Sequence, residues 1–256
     1  MKKKKNIEKI LDVQKLTVSF DNFKVLDNLD FYINHGELRF LIGPNGAGKT
    51  TLLDIITSKT KPSSGKVMFN EDIDITHWQE HKLVRHGIAR KFQTPSIFPG
   101  MTVYENLEVA AGFNLSKFKL FQSISAEERD HIGDVLETIG LADLRNRDAN
   151  ILSHGQKQWL EIGMLLMQRP KLLLLDEPVA GMSRAERDRT GELLQSISRD
   201  QAILVVEHDM LFVRQFASIV TVLHQGKLLR EGKVEDIQND SKVVEVYLGR
   251  GHKETA

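Results

Sequence analysis

Apolar and polar positions change rhythm several times along the chain. Between residues 12 and 40 the runs LTVSF (Leu16–Phe20) and LDFYI (Leu29–Ile33) are rich in β-branched and aromatic residues and are separated by Asp-Asn turn material, which predicts an antiparallel start. LRFLIGPNGAGKTTLLDIIT follows from Leu38 and reads as a strand, a glycine-rich turn and a helix. PSSGKVMFNEDIDI (62–75) reads as a further turn and strand. From about 94 to 168 the character changes: Pro95, Pro99 and Gly100 punctuate a loop, and the remainder reads mostly as helix, including SAEERDHIGDVLETIG with Ser125 as its cap. Strand signals return at KLLLLDEP and AILVVEHD, each followed by a helical stretch, and again in IVTVLHQGKLLREG. Strands that alternate with helices imply an α/β fold on a parallel sheet.

Composition narrows the class. A chain of 256 residues is long enough to bury a sizeable core. With 35 basic and 35 acidic residues, its net charge argues for neither nucleic acid nor an acidic polymer as a partner. The absence of cysteine excludes disulfides and thiolate metal sites and fits a reducing compartment. No apolar run approaches the roughly 18 residues that a membrane-crossing helix needs, and MKKKKNIEK lacks the apolar centre of a leader peptide. The expected division is a basic tail over 1–11, an α/β core over 12–93 and 169–250 with an antiparallel β subdomain, and an inserted helical subdomain over 94–168.

Gly43-Pro44-Asn45-Gly46-Ala47-Gly48-Lys49-Thr50 fills the pattern G-x-x-x-x-G-K-[ST] between an apolar strand and a helix. Glycines let the backbone turn its N–H groups toward phosphate oxygens, and the following helix aims its positive end at the same anion. Lys49 would reach the outer phosphates and the Thr50 hydroxyl would ligate Mg²⁺. Leu172–Leu175 form a continuously apolar strand covered on both faces. Asp176 at its end would hold Mg²⁺, and Glu177 would polarise the attacking water. This pairing defines a P-loop nucleotide hydrolase.

Leu152-Ser153-His154-Gly155-Gln156 precedes those acids and resembles the signature pentapeptide of ATP-binding cassette (ABC) proteins. Phe92-Gln93 resembles the family's Q-loop, Glu207-His208-Asp209 its switch histidine, and Phe20 the aromatic that stacks on adenine. The resemblance implies an ATPase that uses ATP and Mg²⁺. Lys49 and the loop from Gly43 through Thr51 would hold the triphosphate, Thr50, Gln93 and Asp176 would place the metal, Glu177 would activate water, and His208 would clamp the γ-phosphate. Ser153, Gly155 and Gln156 would read the γ-phosphate of ATP held by a second ATP-binding subunit, in a homo- or heterodimer. Separate transmembrane permeases, docked near residues 92–115 at residues such as Ile97, Phe98 and Met101, would convey the work, with a solute-binding protein acting indirectly. The chain would then lie against the cytoplasmic face of the membrane.

Within the family, ARKFQTPSIFPGMTVYENLEVA, the VAGM stretch, VEHDM and EVYLGR resemble the branched-chain amino acid and amide uptake branch, with Lys-Phe-Gln-Thr-Pro nearest the urea-uptake members. The rival is the motor of a lipid or lipopolysaccharide exporter. Two departures stand out. His154 replaces the common glycine, which leaves a choice between an imidazole beside triphosphate and a ring pointing to solvent. Ala180-Gly181-Met182-Ser183 lacks the Asp that many members carry there.

Overall fold

The computed structural model describes residues 8–21, 23–91, 96–112 and 125–248. In chain order the first half comprises β1 (Lys9–Phe20), β2 (Phe23–Asn34), β3 (Leu38–Ile42), α1 (Lys49–Ile56), β4 (Ser64–Phe69), β5 (Ile73–Asp74), α2 (Glu80–His86) and β6 (Ile88–Lys91). Three longer helices follow: α3 (Val103–Gly112), α4 (Ala126–Ile139) and α5 (His154–Leu166). The chain then runs through β7 (Leu172–Asp176), α6 (Arg184–Ile197), β8 (Ala202–Val206), α7 (Met210–Phe216), β9 (Ile219–His224), β10 (Lys227–Gly232), α8 (Val234–Gln238) and α9 (Ser241–Leu248).

Two sheets result. The first is antiparallel, ordered β2-β1-β4-β5. Its long hairpin turns between Phe20 and Phe23, which face each other across the strands. The tail boundary expected at residue 11 is corrected here, because β1 begins at Lys9 and Ile10 and Leu11 are fully buried. A run of lysines masks that start in the sequence, since the apolar pair follows directly on polar chain. The second sheet is ordered β10-β9-β3-β8-β7-β6. Strands β9, β3, β8, β7 and β6 run parallel, whereas β10 is antiparallel to β9. That edge is antiparallel because only Gln225 and Gly226 join the two strands, both at positive φ (49° and 75°). A two-residue turn of this kind can only return the chain antiparallel.

The central strands have no polar side. Every residue of β3, β7 and β8 is buried, and successive side chains enter two different cores, as the two-residue pleat requires. Leu173, Leu175, Ile203, Val205, Phe40 and Ile42 join the helices α3–α7 on one face. Leu172, Leu174, Leu204, Val206 and Leu41 join α1 and the antiparallel sheet on the other. The helical segment is thus built onto one face of the sheet. Its three helices meet at Gly163, where an added Cβ would lie 2.7 Å from Ile139 Cδ1 and 3.2 Å from Leu107 Cδ2. Ser125 and Glu128 form a capping box that starts α4, as the sequence predicted. Among the described residues, no helix is long and apolar enough to cross a membrane.

Candidate functional site

In an open parallel sheet the ligand crevice lies beyond the carboxyl ends of the strands. Three such ends are aligned here. Asp176 closes β7 beside Val206 of β8, and Val206 in turn lies beside Leu41 of β3. The loop 43–48 leaves β3 and delivers the chain to α1, whose N-cap is Gly48 with no side-chain cap. Gly48 has φ 103°, and a Cβ there would meet Leu26 Cδ2 at 2.5 Å and the Val25 carbonyl at 3.1 Å, so only glycine fits the turn. Asn45, Gly46, Ala47, Gly48, Lys49, Thr50, Thr51, Asp176 and Glu177, with Val25 and Val206, line one cleft of about 310 Å³. Gly43 and Pro44 turn their carbonyls to the Lys49 ammonium, which donates to them at 2.7 and 3.2 Å.

The electrostatics of the cleft follow from burial. It pulls the Lys49 ammonium below its usual range, and the carboxylates of Glu177 and Asp176 hold it partly up. Burial likewise pushes Asp176 above the usual carboxylate range, against the pull of Arg90. Arg90 itself is clamped between Asp54 of α1 (2.6 Å) and Asp176 (3.5 Å). A buried carboxyl and a hydroxyl, Asp176 and Thr50, line the same cleft, and oxygen donors of this kind suit a hard divalent ion. Glu177 adopts φ 49°, a left-handed conformation uncommon outside glycine. Its N–H donates to the Val206 carbonyl at 2.9 Å, so the β8 end holds the turn that lifts the carboxylate out of the strand. His208 Nδ1 lies 3.4 Å from Glu177 Oε1. Behind it, buried Glu207 accepts the N–H groups of His208 (3.0 Å) and Asp209 (3.3 Å) and fixes the turn that presents the imidazole.

Among the described residues, the remaining sequence candidates lie apart from this cleft. Phe20 stands on the hairpin tip, 50% exposed, with Phe23 beside it at 70%; β2 leads from that tip to Val25 in the cleft. Gln93 falls outside the described residues, as do Phe92 and Pro95. Ser153 caps α5 in a full capping box with Gln156, and its hydroxyl donates to Glu186 Oε1 at 2.8 Å, the oxygen that also accepts Gly155 N–H at 3.2 Å. His154 is exposed at the surface of the single chain. Its Nε2 lies 3.1 Å from the Ala180 carbonyl and must donate to it, so the ring ties α5 to the segment after Asp176-Glu177. Sequence reasoning also missed Arg90, Glu186, Val25 and the pair Lys91–Glu161, in which a fully buried ammonium lies 3.4 Å from Glu161 Oε2. Glu161 also accepts Ser96 N–H at 3.1 Å and so joins α5 to both flanks of the segment 92–95.

The family profile described as ABC transporter matches residues 26–180, from within β2 to just past the two acids. The chain belongs to the ABC transporter family. The cassette is 32% identical over 250 residues to the high-affinity branched-chain amino acid transport ATP-binding protein BraF of Pseudomonas aeruginosa, covering 94% of this chain and 98% of the relative. Its fold matches the ADP conformation of MJ1267, an ATP-binding cassette of an ABC transporter, with a TM-score of 0.83 and 33% identity over 94% of this chain and 99% of the other. It also matches the dimeric post-hydrolysis structure of the cassette MJ0796 bound to ADP and Pi, with a TM-score of 0.71 and 27% identity over 88% and 98% of the two chains. The cassette is a nucleotide-binding ATPase.

Proposed function

We propose that the cassette is the ATP-hydrolysing motor of an importer for a small polar solute of the branched-chain amino acid or amide class, acting on separate membrane permeases from the cytoplasmic face. The observation that carries the reading is the convergence of Lys49, Thr50, Asp176 and Glu177 in one cleft at three aligned strand ends. The solute class is supported by the relative from Pseudomonas aeruginosa, and urea remains within it on the strength of Lys-Phe-Gln-Thr-Pro. The same relative disfavours the lipid-exporter reading.

In this reading the amides of residues 45–51 and the α1 dipole hold the β- and γ-phosphates, and Lys49 exchanges its carbonyl contacts for phosphate oxygens. Thr50, Asp176 and Gln93 would hold Mg²⁺, which when bound neutralises charge developing on the transferred phosphoryl group. Glu177 orients the attacking water, and His208 steadies the γ-phosphate from the next strand. Phe20 stacks on adenine. Ser153, Gly155 and Gln156 complete the site of a second ATP-binding subunit, an arrangement supported by the dimeric cassette above. ATP favours the closed pair because it contacts both chains there, and loss of the γ-phosphate releases it.

The test is Glu177→Gln. Turnover should fall by roughly 10²–10⁴-fold, the range of a lost general base, while ATP still binds and a stable dimer accumulates on gel filtration. Wild-type turnover in this variant would remove Glu177 from its role. Reconstitution with the cognate permeases, assayed with leucine against urea, then assigns the solute.

A further inference from the structure

The signature end of α5 is already occupied by an anion of the chain itself. Glu186, on the first turn of α6, directs Oε1 at both Ser153 Oγ (2.8 Å) and Gly155 N–H (3.2 Å). Its other oxygen accepts the Ser183 N–H (3.0 Å) and hydroxyl (2.8 Å). The fit is close: a Cβ on Gly155 would lie 2.5 Å from Glu186 Oε1 and 2.6 Å from its Cδ. Backbone donation from Ser183 lowers this carboxyl most, and the hydroxyls of Ser153 and Ser183 then the Gly155 amide add to it, so that it titrates at about 2 and is anionic at neutral pH. One carboxylate oxygen thus takes the two donors that the proposed function assigns to the partner's γ-phosphate.

We propose that Glu186 is a positioning residue that acts as a resident surrogate for the γ-phosphate, holding the Ser153 hydroxyl and the Gly155 amide oriented in the separate subunit and yielding them when the nucleotide of a second subunit arrives. The inference rests on the reading of Ser153 and Gly155 as γ-phosphate donors. Two anions cannot share these donors without like-charge repulsion in a partly desolvated site. Displacement of Glu186 therefore opposes closure and sets how much ATP is needed to form the dimer. Oriented donors would otherwise be ordered at the moment of closure, so the contact keeps the end preformed as well as costly to open. Because the other oxygen stays with Ser183, the carboxylate can swing away from α5 while α6 remains capped.

The experiment uses the full-length chain in the Glu177→Gln background and follows dimer formation against ATP concentration by analytical ultracentrifugation. Glu186→Gln keeps the side-chain length and an acceptor for Ser183 but removes the charge. It should lower the ATP concentration for half-maximal dimer by roughly tenfold, the difference between a charge-assisted and a neutral hydrogen bond, with single-chain nucleotide affinity unchanged. Ser183→Ala weakens the cap of α6 and leaves the charge on α5, and it should not reproduce the shift. Ser153→Ala should impair ATP-driven dimerisation. If Ser153→Ala impairs it but Glu186→Gln leaves the midpoint unmoved or raises it, the surrogate role fails and the signature reading stands. If Ser153→Ala dimerises like the parent, the signature reading fails and the surrogate role with it. A matching shift in Ser183→Ala would reduce Glu186 to a helix cap.

Discussion

Two helix N-termini in this molecule are assigned to phosphate by the proposed function, and they are finished differently. At α1 the N-cap is Gly48, which has no side chain to offer, and the first turn carries no acidic residue. Its amides face a cleft whose nearest ammonium, Lys49, is parked on the carbonyls of its own loop. At α5 the N-cap is Ser153, boxed with Gln156 and bonded to the carboxylate of Glu186. Both ends carry a dipole of the same sense and amides that lack an intrahelical partner. The difference is that α1 has no side-chain cap and α5 satisfies its donors within the chain. An end that holds ligand throughout a cycle gains from standing open. An end that must engage and release a second subunit gains from an internal partner of similar chemistry.

The sharpest way to break this contrast is to disable each end in turn. Lys49→Ala removes the Lys49 ammonium from the cleft, and charge-assisted hydrogen bonds contribute about 1.5–3 kcal/mol each. The affinity of a single chain for ATP should fall by roughly 10–100-fold in calorimetry, whereas Ser153→Ala should leave that isotherm where it was. Equal losses from both substitutions would mean that α5 serves the nucleotide of its own chain, and the contrast would dissolve.

Gly48→Ala probes the shape of the first end rather than its charge. A methyl group there meets Leu26 at 2.5 Å in a backbone held at φ 103°, and strain of this kind costs about 1–3 kcal/mol. Calorimetric melting should shift down by about 2–4 °C for each kcal/mol in a domain of this size, and ATP binding should weaken with it. A variant that melts and binds as the parent does would show that the loop relaxes freely, contrary to the packing of β2 beneath it.

Much of this arrangement was legible in the chain. Local signals sufficed where one residue fixes one conformation: the glycine spacing of 43–48, the serine cap of α4 and the continuous apolar run of β7 each predict what is found. The hairpin β1–β2 was readable from its β-rich runs on either side of Asp-Asn, although its true start at Lys9 was not, because two apolar residues after a lysine run carry no period of their own. What stayed hidden are contacts between distant segments. Arg90 reaches Asp54 and Asp176, His154 reaches Ala180, and Glu186 reaches Ser153. In each case the partner is chosen by how helices pack on the sheet, and neither residue type nor spacing announces it. Glu186 illustrates the limit: S-x-x-E from Ser183 marks a capping box, and that local role conceals the second oxygen aimed at another helix.

The smallest effect expected concerns what joins α5 mechanically to α6. Trp159, one turn into α5, donates its indole N–H to Thr190 Oγ1 of α6 at 2.8 Å, and the Arg189 guanidinium lies 4.4 Å from its ring centroid. Glu186 and Thr190 are one turn apart on α6, so this bond holds the helix that carries the surrogate carboxylate against the helix that carries the signature. Trp159→Phe keeps an aromatic ring in the core and removes the donor. The loss of a buried hydrogen bond should cost about 1 kcal/mol, or a few degrees of melting temperature. The ATP midpoint for dimer formation should move less than in Glu186→Gln, because the carboxylate keeps its charge and both α5 donors. A midpoint that moves as far as in Glu186→Gln would place the control of closure in the α5–α6 packing rather than in the competition between two anions for the same hydroxyl and amide.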